Sequence, residues 1–212
     1  MIDLQPHTSE SPGYWPTVHL VGSDAFAQAS IAGMLGSSYA VQGYTSPLEF
    51  LKQAVDAEPG CVLLELRMPE MSGIEFQARL SDPEPPLPIV FISDCSDVPS
   101  AVRAIKAGAQ DFLVKPVDAD ALRGAVGSAV AIDRARRSAQ DERKQALDRY
   151  ATLSAQERRV CRLVSEGLLN KQIAWELHLA EQTVRVYRSR AMRKLKVDNV
   201  AHLVRLLVCI DL

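Results

Sequence analysis

Two groups of residues in this chain have types and spacings that could do chemistry. The first is one carboxylate, Glu65, which closes the apolar run Cys61-Val62-Leu63-Leu64 just before a turn rich in Pro and Gly, LRMPEMSG. A short apolar run with no polar alternation marks a strand covered on both faces. The C-terminal end of such a strand is where an open α/β sheet keeps its active site. Glu65 is therefore either chemistry or its remnant. The second group is a dense set of cations, Arg185, Arg188, Arg190, Arg193, Lys194 and Lys196, inside the segment EQTVRVYRSRAMRKLK. Six cations on one short helix exceed what solubility requires. They suit a helix laid in a DNA major groove, with phosphate partners along its flanks and base-reading side chains near its start. No Ser/His/Asp or Cys/His set recurs and no Gly-rich phosphate loop occurs, so the sequence does not read as an enzyme.

The elements that must position these residues fall into two parts. The chain has 212 residues, 47% hydrophobic and 24% charged, within the range of an ordinary soluble globular protein. Its net charge of -2 conceals a split. Residues 1–120 hold 6 Lys/Arg against 16 Asp/Glu, residues 121–150 hold 7 against 4, and residues 151–212 hold 11 against 6. An acidic front and a basic back indicate two domains with different partners, the basic one suited to nucleic acid. Cys61, Cys95, Cys161 and Cys209 lie far apart beside apolar residues, which reads as small buried hydrophobes in a reducing compartment. No run approaches the roughly 20 apolar residues of a membrane span. The N-terminus has neither the basic start nor the apolar core of a signal peptide. The expected location is the cytoplasm, with no metal and no cofactor implied.

Residues 1–16 are polar and rich in Pro and Ser, and read as a disordered tail. Strands are expected at TVHLV, YAVQGY, CVLLEL, IVFIS and Asp111–Val114, with helices at Ala25–Leu35, SPLEFLKQAVDA, Gly73–Leu80 and Pro99–Ala107. Ser46, Pro47 and Glu49 form the capping pattern that starts the second helix. Strands alternating with helices of this length imply parallel βαβ units and a doubly wound sheet. From Asp120 to Tyr150 only Gly124 and Gly127 interrupt a helical pattern; its first half reads as the last helix of the front domain and its polar second half as a helical linker. A dimeric coiled coil is the alternative, weakened by a seam poor in Leu and Ile. Residues 151–212 hold four helical patterns, with Ser154 and Glu157 capping the first, Asn170 the second and Glu181 opening the third.

The back segment LSAQERRVCRLVSEGLLNKQIAWELHLAEQTVRVYRSRAMRKLKV, residues 153–197, resembles the tetra-helical helix-turn-helix domain of the LuxR/NarL-type transcription regulators. The Leu-Ser opening, Glu-Gly before the second helix, Asn-Lys-x-Ile-Ala and Thr-Val-Arg-Val occur in order. Tyr187 stands where the family usually has His, and His178 where it usually has Gly, so His178 must tolerate a positive φ. The front resembles a CheY-like receiver of the FixJ-like response regulators through LRMPEMSG, PIVFIS and DVPSAVRAIKAGAQDFLVKP. These resemblances imply a five-stranded parallel receiver over residues 17–132, a linker over 133–150 and an all-α DNA-binding domain over 151–212.

The resemblance also implies a pocket, and this chain departs from it. Where the family carries two adjacent acids that help hold Mg²⁺, Gly22 and Ser23 stand, with Asp24 beyond. The phosphoryl-accepting Asp is Glu65. Ser93 retains the switch hydroxyl, Phe112 the aromatic position and Lys115 the family's Lys, followed by Pro116. Without carboxylate ligands a small hard cation is poorly held. One added methylene also misplaces the nucleophile, and an error of about 1 Å can cost 10²-fold. The expectation is a transcription regulator that works without aspartyl phosphorylation, its histidine kinase doubtful. Glu65 is expected to face Lys115, either as a structural ion pair or as one holding an active-like arrangement. Arg185, Val186 and Ser189 are expected to face bases, and Lys171, Thr183, Arg190 and Lys194 to face phosphates. The family pairs its receivers as homodimers through the fourth helix, fifth strand and fifth helix. Here that face carries Arg103, Lys106, Asp111, Asp118 and Asp120. A conventional phosphorylated regulator and an anti-regulator without specific DNA binding remain the alternatives.

Overall fold

The computed structural model describes residues 15–22, 24–52, 59–80, 87–94 and 98–211. Ser23, Cys95 and the expected tail up to residue 14 lie outside them, as does the second helix beyond Lys52. Two compact units divide between Arg137 and Ser138.

In the first unit, β1 (Thr17–Val21), β2 (Ala40–Tyr44), β3 (Gly60–Glu65), β4 (Ile89–Ser93) and β5 (Asp111–Val114) form one parallel sheet in the order β2-β1-β3-β4-β5. The helices are α1 (Ala25–Leu35), α2 (Pro47–Lys52), α3 (Gly73–Leu80), α4 (Val98–Lys106) and α5 (Ala119–Ala151). The unalternated apolar run of β3 now has its cause. Cys61 and Leu63 pack on one side with Leu35 of α1 and Leu122, Val126 and Ala129 of α5. Val62 and Leu64 pack on the other with Phe50 of α2, Phe76 of α3 and Ala104 of α4. A strand with helices on both faces can spend no position on a polar side chain until it emerges, and it emerges at Glu65. Burying that much apolar surface is the main favourable term for this unit.

One local feature meets the sequence reading and another departs from it. Ser46 caps α2 by accepting from Leu48 N at 3.2 Å, while its own hydroxyl donates to Glu70 at 2.6 Å. The linker expected from residue 133 starts later, because Asp133 belongs to the sheet unit. Its carboxylate is 1% exposed and accepts from Gly60 N at 3.0 Å and Arg137 Nε at 2.6 Å. Gly60 itself has no room for a side chain, since a Cβ would lie 2.3 Å from the Thr17 carbonyl oxygen. Burial pushes the neighbouring Cys61 thiol up to about 12, with the Asp133 charge adding to the effect. Cys161, also buried, is pushed up to about 11 by desolvation and then by Glu157, with Arg188 opposing. Cys209 contradicts the expectation of uniform burial: it lies exposed at the end of its helix. Among the described residues no helix is long and apolar enough to cross a membrane.

The second unit is all helical: α6 (Ala155–Ser165), α7 (Asn170–Glu176), α8 (Glu181–Leu195) and α9 (Val200–Cys209). Val160, Leu163, Ile173, Val184, Ala191, Leu195, Leu203 and Leu207 form its core, joined by Ala146 from the end of α5. Ser154 and Glu157 make the reciprocal cap of α6. Asn170 does not cap α7 as expected. The helix already includes Asn170, so Leu169 takes the cap position and Gln172 Oε1 accepts from its N–H at 2.8 Å.

Candidate phosphoacceptor pocket and nucleic-acid interface

β1 and β3 are the neighbours whose crossovers leave in opposite directions, so a crevice opens outside their C-terminal ends. Glu65 ends β3 there, and Lys115 follows β5. Lys115 Nζ lies 2.9 Å from Glu65 Oε1 and 3.2 Å from an Asp94 carboxylate oxygen. The Glu65 and Lys115 side chains are 17% and 25% exposed, so the pair is partly withdrawn from water. Burial works to lower the pKa of the Lys115 ammonium; its hydrogen bonds to Glu65 and Asp94, and their charges, outweigh it and leave the pKa raised. The contribution of the raised Lys115 to stability is thus present at neutral pH and is lost as pH rises through that raised value.

Of the expected pocket residues, Gly22, Asp24, Glu65 and Lys115 line one pocket, Ser93 and Phe112 lie on β4 and β5 outside its lining, and Ser23 falls outside the described residues. A Cβ on Gly22 would lie 3.0 Å from Glu65 Oε2 and 3.3 Å from Glu65 Cβ. Gly22 is fixed by its N–H to the Tyr44 carbonyl at 3.1 Å and by Gln28 Nε2, which donates to Gly22 O and Tyr44 O, both at 2.9 Å. Asp24 is exposed, and its Oδ1 accepts from Ala27 N at 3.3 Å in the first turn of α1. Ser93 is buried at the end of β4, its carbonyl accepting from Lys115 N at 2.9 Å. Phe112 is half-buried, its ring stacked 6.2 Å from that of Phe91. A cavity of about 30 Å³ lies among Gly22, Asp24, Gln28, Glu65 and Lys115 over an apolar floor. It has room for a water or two.

This donor set fits a divalent cation poorly. Mg²⁺ asks for near-octahedral oxygen ligands, one or two of them carboxylates. Gly22 supplies no side-chain donor, one Glu65 oxygen is held by an ammonium, and the Asp24 carboxylate bonds a helix N-terminus. Among the described residues no cluster of three His, Cys, Asp or Glu could hold a metal.

In the helical unit, α7 and α8 are joined by a short turn at His178, whose φ of +53° meets the expectation for that position. Leu179 N bonds back to the Ala174 carbonyl at 2.9 Å. The outer side of α8 exposes Arg185, Val186, Ser189 and Arg190, and Lys171 is exposed on α7, while Thr183 is half-buried. Arg185 Nη2 lies 2.8 Å from Glu181 Oε1. Two cations are used internally. Arg188 Nη1 donates to Asn170 Oδ1 at 3.0 Å and ties α8 to α7. Lys194, expected to face phosphate, is exposed, and its ammonium lies 2.6 Å from Glu157 Oε2 and donates to Thr152 O at 3.2 Å. The Lys194 hydrogen bond, then that of Ser154 N, holds the Glu157 carboxyl below its usual value. Sequence reasoning missed the exposed Gln182, because its choices followed the family's early helix positions rather than the face opposite the core.

Comparisons with known proteins fit both geometries. Residues 18–127 match the response regulator receiver domain family, and residues 151–207 match the bacterial regulatory proteins of the luxR family. The chain is 40% identical over 179 residues to the response regulator protein TodT of Pseudomonas putida, covering 84% of this chain and 78% of that one. It is 38% identical over 191 residues to the transcriptional regulatory protein FixJ of Rhizobium meliloti, covering 90% and 94%. Among solved structures, the response regulator StyR superposes with a TM-score of 0.82 at 38% identity, covering 92% of this chain and 98% of that one.

The division of labour on α8 and α7 is open to a salt titration of DNA binding. Each lost phosphate contact lowers the slope of log K against log salt by about 1. Lys171→Ala and Arg190→Ala should each show that drop. Lys194→Ala should leave the slope unchanged and lower the melting temperature instead. This stability loss should shrink as pH falls below the ordinary glutamate range, where the depressed Glu157 carboxylate titrates. A reduced slope for Lys194→Ala would return it to the phosphate-facing set.

Proposed function

We propose that this chain, which belongs to the response regulators that join a receiver to a LuxR-family DNA-binding domain, regulates transcription in the cytoplasm without aspartyl phosphorylation. One observation carries the reading: Glu65 reaches into the space where an acid at position 22 would project, and Lys115 already neutralises it. Phosphoryl transfer needs an in-line nucleophile and neutralised charge on the transferring oxygens. Glu65 is one methylene longer than the family's Asp, its near oxygen is engaged by Lys115, and Gly22 brings no cation ligand. Glutamate carries about one negative charge where a phosphoryl group carries close to two. Any active-like arrangement that Glu65 sets up therefore rests on the ion pair and its seat between the strand ends, not on full charge mimicry.

The conventional reading keeps one observation in its favour. Ser93, Phe112 and Lys115, the positions that read a phosphoryl group in the family, are all retained, and Lys115 pairs with Glu65. Intact mass after incubation with acetyl phosphate and Mg²⁺ separates the two. The wild-type protein should gain no phosphoryl mass, and neither should Glu65→Asp, because Gly22 still supplies no ligand. Phosphoryl mass on Glu65→Asp alone would show that position 22 matters less than its geometry suggests.

The DNA-binding unit would act on paired half-sites, as a homodimer joined through the receiver. Supporting this, α4 exposes Val98, Val102 and Ile105 on successive turns, with Val114 of β5 exposed as well. Of the charges expected on this face, Asp118 caps α5 through Asp120 N and Ala121 N, and Asp120 pairs with Arg123 at 2.6 Å. Apolar contact is thus left as the main adhesive, with Arg103 and Lys106 at its border. A symmetric dimer needs one self-complementary patch, and a bordered apolar stripe is such a patch. Sedimentation of untreated protein at micromolar concentration should show dimer, and Ile105→Asp should show monomer. A wild-type monomer would remove constitutive pairing.

A further inference from the structure

The proposal concerns how the sequence of the DNA site is read, and it rests on the DNA-binding reading above. α8 sorts its side chains around the helix. Val184, Ala191 and Leu195 are fully buried and define the core-facing line. At about 3.6 residues per turn, the line half a turn away carries Gln182, Val186, Ser189 and Arg193. All four are exposed. Two polar groups off that line are engaged within the protein, Arg188 with Asn170 and Lys194 with Glu157 and Thr152, while Arg190, beside the line, is exposed. Arg185, at the edge of the line, is held at 2.8 Å by Glu181. Gln182 differs from all of these. It stands at the second position of the helix, on the outermost line, and its amide takes part in none of the side-chain hydrogen bonds of the described residues.

The first turns of a recognition helix are the part that meets base edges. A neutral carboxamide gains little from a phosphate, whose attraction is for charge. Against a base edge its planar donor and acceptor match adenine, whose N6 amino group donates and whose N7 accepts. We infer that Gln182 is a base-reading residue that selects an A·T pair, next to the pairs met by Arg185 and Val186. Gln182 Oε1 accepts from adenine N6 and Gln182 Nε2 donates to adenine N7. Glu181, by pairing with Arg185, steers that guanidinium to one side and leaves the centre of the groove to Gln182.

The test is selection of bound duplexes from a randomised library by the full-length protein, run in parallel for wild type, Gln182→Ala and Gln182→Glu. Wild type should enrich a motif containing an A·T pair whose preference falls by roughly 5- to 150-fold in Gln182→Ala, with the other positions unchanged. Gln182→Glu should move that one position toward C·G, because a carboxylate accepts from the cytosine N4 amino group. An acid in the first turn suits the helix dipole, so this variant keeps the helix intact even if alanine loosens it. Identical motifs from all three proteins, or a uniform loss of affinity with no change in motif, would overturn the assignment and leave DNA binding standing. Failure of the wild-type protein to enrich any sequence would instead overturn specific DNA recognition itself, and the assignment with it.

Discussion

The ammonium of Lys115, 2.9 Å from Glu65 Oε1, is the contact on which the functional end of the sheet depends. It joins the end of the central strand β3 to the end of the edge strand β5, across β4. A carboxylate 17% exposed is costly without a partner, and so is a lysine brought down over an apolar floor. Each answers the other, and Asp94 adds a second acid on the solvent side. Pairs of this kind are poor sources of net stability, yet removing one partner strands the other. The pair therefore fixes geometry more than it raises stability.

Its consequence reaches β1. The extra methylene that lets Glu65 sit against Lys115 also places Oε2 within 3.0 Å of where a Gly22 Cβ would be. An acidic side chain at position 22 would meet that oxygen both sterically and as a like charge. Glutamate at 65 and glycine at 22 thus belong together, and Gln28 locks the arrangement by bonding the carbonyls of Gly22 and Tyr44. In the helical unit the same economy governs the cations. Asn170 and Glu157 each draw a basic side chain inward, one bracing α7 against α8 and the other holding α8 to the start of α6. The face of α8 opposite its core, with Gln182, Val186, Ser189 and Arg193, is exposed.

Much of the fold was legible because its signals are local. The unbroken run of β3 and the Ser154–Glu157 cap both follow from neighbouring residues. The departures came from residues whose partners are distant in the chain. Asp133 belongs to the sheet unit, where it bonds Gly60, and Asn170 is the first helical residue of α7, its oxygen bonded by Arg188. Lys194 looked like one more cation until Glu157 lay beside it. Cys209 sits among apolar letters, but on the outer side of α9. In the pocket, the pairing of Glu65 with Lys115 was readable only through a family resemblance. The closeness of Gly22 to Glu65 was not readable at all, since no spacing in the sequence encodes a 3.0 Å approach between β1 and β3.

The central claim is that this receiver's output does not wait for a phosphoryl group. Its most direct test is the equilibrium affinity of the purified protein for its selected DNA site, measured by fluorescence anisotropy at fixed salt. One sample is untreated in EDTA, and the other is treated with acetyl phosphate and Mg²⁺. The account predicts the same dissociation constant in both. A constant that tightens tenfold or more only after treatment would contradict it, and would place Glu65 and Lys115 back in a working phosphorylation site.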